Sequence, residues 1–188
     1  DGSGLTETEI NFNVAQRVVR NLRAMNYTVD LLDEFDPRLD NYQAAALISI
    51  HANTCQDFGE RVSGYLVAKA ASRPDGGIDA ILAECISHKY AELVPLERRF
   101  TLTLDMTDYH TFREIHPLTP AAILELGFML ADRKLLTEQP DLLAQAITNG
   151  IQCFLEPTDG YAQLTPTSDD VIPDNFVPLE SETPSPNP

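Results

Sequence analysis

Positive charge is scarce in this sequence. Thirteen Lys and Arg stand against 29 Asp and Glu, a formal net charge of −16 over 188 residues. No basic face can be assembled from so few cations, which argues against a nucleic-acid partner. Long apolar runs are missing too, so no segment approaches the roughly 20 residues of a membrane-spanning helix. The opening DGSGLTETE has neither an initiator methionine nor a secretory h-region, and reads as an end produced by cleavage. Cysteine is limited to Cys55, Cys85 and Cys153. An odd, widely spaced set without C-x-x-C is neither a complete disulfide framework nor a structural zinc knot. Cys85 and Cys153 fall on helical patterns, where buried free thiols are expected.

What is present is ordinary for a folded domain: 43% hydrophobic residues in a chain long enough for one real core. The charge is unevenly spread. Up to Leu155 there are 22 acidic and 13 basic residues, a balance of −9, whereas from Glu156 onward there are seven acids, no Lys or Arg, and seven prolines. The expected division is a catalytic-type domain over 1–156 and a disordered Pro-rich acidic tail over 157–188.

Periodicity sets the elements. Thr6 and Glu9 form a capping box, and Ile10, Val14, Val18, Leu22 and Met25 then recur at helical spacing until Asn26. YTVDLL (27–32) reads as a short strand, AAALISI (44–50) as a fully buried one ending at His51, and VSGYLVAKA (62–70) as another. A helix is expected from Ile78 to about Leu96, irregular structure over 100–119, a last strand over Ala121–Leu126, and helix over Asp132–Leu155 broken near Pro140. This order predicts an α/β fold, a three-layer sandwich with a mostly parallel sheet flanked by helices. A helix starting so early lacks the strand that this architecture normally places before it.

In open α/β sheets, ligands bind beyond the carboxyl ends of the strands, and three residues fall at that edge. His51 follows the AAALISI strand, Glu125 lies near the end of AAILELGFML, and Glu7 sits on the first turn of the first helix. Each has an ordinary explanation: dipole complementation for Glu7, a hydrogen-bonded strand-end imidazole for His51, a structural ion pair for Glu125. Together, one His and two carboxylates suit a divalent metal and a general base. Tyr109, His110 and Arg113 lie just upstream of the last strand and can face the same cleft; the Arg113 guanidinium suits a carboxylate.

GLTETEINFNVA (4–15), LISIHAN (47–53) and PAAILELGFM (120–129) resemble the zinc-dependent N-acetylmuramoyl-L-alanine amidases of the Amidase_3 type, in order and over roughly Gly4 to Leu155. The resemblance implies that Glu7 and His51 bind zinc, that Glu125 is the catalytic carboxylate, and that the substrate is the amide joining N-acetylmuramic acid to L-alanine in peptidoglycan. The family's substrate implies an extracytoplasmic location, while His110 and Arg113 are read toward substrate from their position just upstream of the last strand. In that family a further zinc ligand, a His after the first strand in an H-x-G context, precedes the point where this chain begins. VSGYLVA and TDYHTFREIHPLTP (107–120) depart from the family pattern, which marks a divergent branch. His110 or His116 is a possible replacement ligand. Two other readings remain open: a non-catalytic peptidoglycan-binding domain of the same fold, and a metallo-hydrolase of another small N-acyl amide.

Overall fold

The fold was obtained as a computed structural model that describes residues 4–57, 59 and 62–156; the expected tail over 157–188 lies outside them. The first helix, α1 (Glu7–Ala24), begins as its sequence dictates. The Thr6 hydroxyl accepts the Glu9 N–H at 3.2 Å, and Glu9 Oε2 accepts the Thr6 N–H at 2.9 Å. Its other end is a Schellman closure: Asn26 takes φ +67, Tyr27 N–H bonds Leu22 O and Asn26 N–H bonds Arg23 O. Ile10, Val14, Val18 and Leu22 are the buried stripe, each contributing about 1.5–3 kcal/mol of burial.

Among the described residues, three strands form the sheet. β1 (Leu47–Asn53) pairs parallel with β3 (Ala121–Phe128), and β2 (Leu66–Ala68) lies antiparallel on the other side of β3. The α/β class expected from the pattern is observed, with a mixed sheet. Alternation along β3 builds two cores: Ala122, Leu124 and Leu126 face α1, α2 (Ile78–Leu93) and α6 (Pro140–Leu155), while Ala121 and Ile123 face the opposite layer. That layer is thin, made by the turn at Pro37–Leu39 and the short helices α3 (Leu104–Thr107) and α4 (His110–Glu114). Helices flank the sheet on both faces. A six-residue helix, α5 (Arg133–Glu138), precedes α6.

Several expectations need correction. Residues 27–32 do not join the sheet, because a cleft of about 450 Å³ separates them from the edge of β1 and no ladder can form across it. For the same reason the residues of β1 are mostly half-buried rather than fully buried. β2 is only three residues long: Ser63 and Gly64 are diverted into bonds with Asp132. α2 stops at Leu93, since Pro95 drives Val94 to an extended ψ of 124°.

The largest correction concerns the thiols. Cys85 on α2 and Cys153 on α6 form a disulfide, with Cα atoms 5.7 Å apart, and only Cys55 is free. Helical periodicity shows that both face inward but not that they face each other. What brings them together is a close crossing at Gly150, where a Cβ would lie 2.8 Å from Ile86 Cα.

Because the bridge closes a loop 68 residues apart in sequence, reducing it should destabilise the fold by roughly 4 kcal/mol on loop entropy. Urea denaturation with and without reductant measures this; coincident transitions would show that the bridge carries no stability.

Candidate functional site

The site forms at the carboxyl end of the parallel pair. The register sets His51 directly opposite Glu125, so both side chains leave the same face of the sheet. After Glu125 the register slips by one residue, Asn53 pairing with Phe128, which is a β-bulge at Leu126–Gly127. Gly127 takes φ +159 and is closely surrounded: a Cβ there would meet Leu96 Cδ1 at 3.1 Å and Asp132 Cβ at 3.2 Å. Buried Asp132 holds the bulge, accepting the N–H of Phe128 at 2.9 Å and of Gly64 at 3.2 Å, and the Ser63 hydroxyl at 2.5 Å. Glu125 therefore leaves a strand end that is clamped from both sides.

Glu7 arrives from the head of α1. Its Oε1 lies 3.0 Å from His51 Nδ1, accepts the Ala52 N–H at 3.4 Å, and accepts Asn11 Nδ2–H at 3.1 Å. The His51 hydrogen bond holds the Glu7 carboxyl below its ordinary range, opposed by partial burial and helped by Asn11. Burial works against the His51 charge, but Glu7, Glu125 and Glu34 outweigh it and its pKa stands above the usual value. Burial pushes the Glu125 carboxyl up to about 7, with His51 pulling it down and Glu7 adding to the rise. Glu125 Oε2 is buried and has no hydrogen-bond partner among the described residues. A carboxylate oxygen left in that state is costly unless a ligand receives it.

Of the five expected site residues, the structure thus brings together Glu7, His51 and Glu125. His110 is close by: its ring packs 4.5 Å from that of Tyr109, whose hydroxyl lies 3.2 Å from His51 Nε2, and its Nδ1 pairs with Glu114 at 3.0 Å. Arg113 is not drawn in; it pairs with Asp108 and is largely exposed. His116 caps a local turn, its Nδ1 accepting the Leu118 N–H. Two contributors went unpredicted. Asn11 lies one helical turn after Glu7, a spacing that marks such pairs. Glu34, which the Tyr109 hydroxyl reaches at 3.2 Å, is 75 residues away in sequence and gives no local signal.

A metal site can be tested against these atoms. Glu7 Oε1 and His51 Nδ1, 3.0 Å apart, are oxygen and nitrogen donors spaced nearly as two ligands of one tetrahedral zinc, which sit about 3.4 Å apart for bonds near 2.0–2.1 Å. The buried, unpaired Glu125 oxygen beside them is consistent with a polar guest. Among the described residues, no group of three or more His, Cys, Asp and Glu assembles that could hold a metal ion by itself.

An imidazole and two carboxylates thus meet at the carboxyl edge of an α/β sheet, where open sheets bind ligands. The sequence pattern of N-acetylmuramoyl-L-alanine amidases, the Amidase_3 family, matches residues 2–153, and the chain belongs to that family of peptidoglycan amidases. Among solved structures, an N-acetylmuramoyl-L-alanine amidase from Clostridium difficile 630 is similar with TM-score 0.62 at 20% identity, over 83% of this chain and 87% of that one. AmiC2 of Nostoc punctiforme aligns with TM-score 0.60 at 22% identity, over 82% and 87%. The catalytic domain of CwlV from Bacillus (Paenibacillus) polymyxa var. colistinus gives 0.62 at 20%, over 82% and 88%. No curated protein matches in sequence.

The raised Glu125 carboxyl has a stability consequence. In the unfolded chain it loses its proton near 4.5, in the folded protein near 7, so the folded state holds the extra proton and stability falls as pH rises between those values. Glu125→Gln, which stays neutral, should be more stable than wild type by roughly 3 kcal/mol above pH 7, with no advantage below pH 4.5. Denaturant midpoints of the metal-free proteins at pH 4 and pH 8 measure it; an equal difference at both would refute the burial argument.

Proposed function

We propose that this chain is a zinc-dependent amidase that cleaves the bond between the lactyl carbonyl of N-acetylmuramic acid and the L-alanine nitrogen of the stem peptide. The observation that carries the reading is the buried, unpaired Glu125 oxygen beside the Glu7–His51 pair, in a chain whose family is the peptidoglycan amidases.

Glu7 and His51 would hold the zinc, through Oε1 and Nδ1. Bound there, zinc would polarise the scissile carbonyl and make a water molecule acidic enough to attack at neutral pH. The protein's own part is proton transfer. Glu125, with its carboxyl raised to about 7, removes a proton from the attacking water and returns it to the departing amine nitrogen, which leaves as a free amino group. Its pKa near neutrality suits both halves of that task. Asn11 steadies Glu7 by its hydrogen bond to Oε1, and the bulge clamped by Asp132 keeps Glu125 aimed at the same edge. The substrate's sugar–peptide junction would lie across the carboxyl end of β1 and β3.

An extracytoplasmic location follows from the substrate and is supported by the Cys85–Cys153 bridge, since such bonds persist in oxidising compartments. No helix among the described residues is long and apolar enough to cross a membrane.

Zinc content by elemental analysis and muropeptide release from purified peptidoglycan, for the full chain and for Glu125→Gln, test this reading. The variant should keep its zinc and lose about 10²–10⁴-fold in turnover. Undiminished turnover removes Glu125 from the mechanism; a wild-type protein that neither takes up zinc nor releases muropeptides removes the function.

A further inference from the structure

Beyond His51 the wall of the site is a row of rings. The Tyr109 ring stands edge-on to His51 at 5.2 Å, His110 packs on Tyr109 at 4.5 Å, and Phe35 stacks on His110 at 4.8 Å with the two planes 20° apart. Phe35 is the outermost of them. His110 takes one of its faces, and the residue is 76% exposed, so the other face looks into solvent. A single exposed phenyl would carry no meaning. This one continues a row that starts at His51.

The segment carrying Phe35 is braced. The Asp36 N–H bonds Asp33 O at 3.1 Å, closing a turn with Phe35 at its third position. The Asp36 carboxylate accepts the Arg38 N–H at 2.9 Å and caps the turn Pro37–Leu39, whose Leu39 is buried. Under Phe35, the His110 ring is held by Glu114, Nδ1 to Oε1 at 3.0 Å. The open face is thus set in place before any ligand arrives, which lowers the cost of binding.

The polar groups beside the row select the ligand. Half-exposed Glu34 lies 3.2 Å from the Tyr109 hydroxyl and 3.8 Å from His110 Nε2, and Glu114 stands at the other ring nitrogen. The neighbouring Arg113 guanidinium is already taken by Asp108. A peptide carboxylate laid here would meet acids. A neutral sugar suits the place better: the C–H face of a pyranose is weakly positive and matches the negative face of a phenyl ring. Its hydroxyls donate to carboxylates in charge-assisted bonds. Glu34 can accept one while keeping Tyr109, because a carboxylate has about four lone-pair sites.

We propose that Phe35, with Glu34 at its edge, is a saccharide platform on which a pyranose ring of the glycan strand stacks beside the scissile amide. The inference rests on the reading of this chain as a peptidoglycan amidase, and it adds where the sugar lies. The lactyl group of that substrate is an ether on the sugar ring, so a hexosamine stands within a few bonds of the carbonyl under attack.

Two substrates with the same scissile amide separate sugar binding from packing: a disaccharide–peptide, and the lactyl-peptide that lacks both sugars. In Phe35→Ala the ratio of kcat/KM for the first over the second should fall about three- to tenfold, with the loss in KM, and Phe35→Trp should restore it. An unchanged ratio overturns the proposal, including when both activities fall, because that pattern is structural. Titration of the full chain with the peptide-free disaccharide, followed in proton–carbon correlation spectra, should shift the Phe35 ring signals, and free stem peptide should not. Absence of disaccharide shifts, or equal shifts with the peptide, overturns the platform whether or not the chain cleaves. Disaccharide shifts in a protein that cleaves neither substrate leave the saccharide site standing and refute the amidase reading instead.

Discussion

Much of this structure follows from one pairing: the parallel register that puts His51 opposite Glu125 at the carboxyl end of β1 and β3. A parallel ladder with side-chain period 2 makes the choice absolute, because a slip of one residue would turn every side chain of one strand to the other face. In the observed register Ile48, Ile50, Leu124 and Leu126 bury toward α1, α2 and α6, and the same alternation forces His51 and Glu125 out on the opposite face together. The apolar core thus determines where the polar pair stands. The bulge at Gly127, held by the Asp132 clamp, then shifts the register immediately after Glu125, before the last pair of the ladder, Asn53 with Phe128.

The electrostatics of the site come from shortage as much as from contact. Glu7 has two N–H donors and the His51 ring nitrogen at one oxygen, and its carboxyl is held below the ordinary range. The more buried Glu125 has, among the described residues, an oxygen with no partner. Two carboxylates near one imidazole are therefore pushed apart in acidity by their surroundings. Environments that push the acidities of neighbouring carboxyls apart are the pattern by which paired acids take different protonation states at one pH.

The helical layer behind the sheet is closed by a different device. α2 and α6 approach so closely at Gly150 that no side chain fits between them, and the Cys85–Cys153 bond lies along this contact. The opposite layer is made of short helices and turns, which is where the residues that reach over His51 originate. Tyr109, His110, Glu34 and Phe35 belong to segments with little regular structure of their own, held mainly by one another.

Local pattern was enough for much of this. The capping box at Thr6–Glu9, the stripe from Ile10 to Leu22, the apolar run of β3 with its single acid, and the break at Pro140 are all written at spacings of two to four residues, and each appears in the structure. Glu7, His51 and Glu125 were legible because the carboxyl edge of an α/β sheet collects ligand-binding groups whatever the intervening loops do. Long-range geometry decided the rest. Whether residues 27–32 pair as a strand depends on whether a partner edge lies within reach, and here a cleft intervenes. Whether two inward-facing cysteines stay thiols depends on how closely their helices cross. And Glu34, 75 residues from Tyr109, joins the site only because an irregular loop folds over it, a contact that no periodicity encodes.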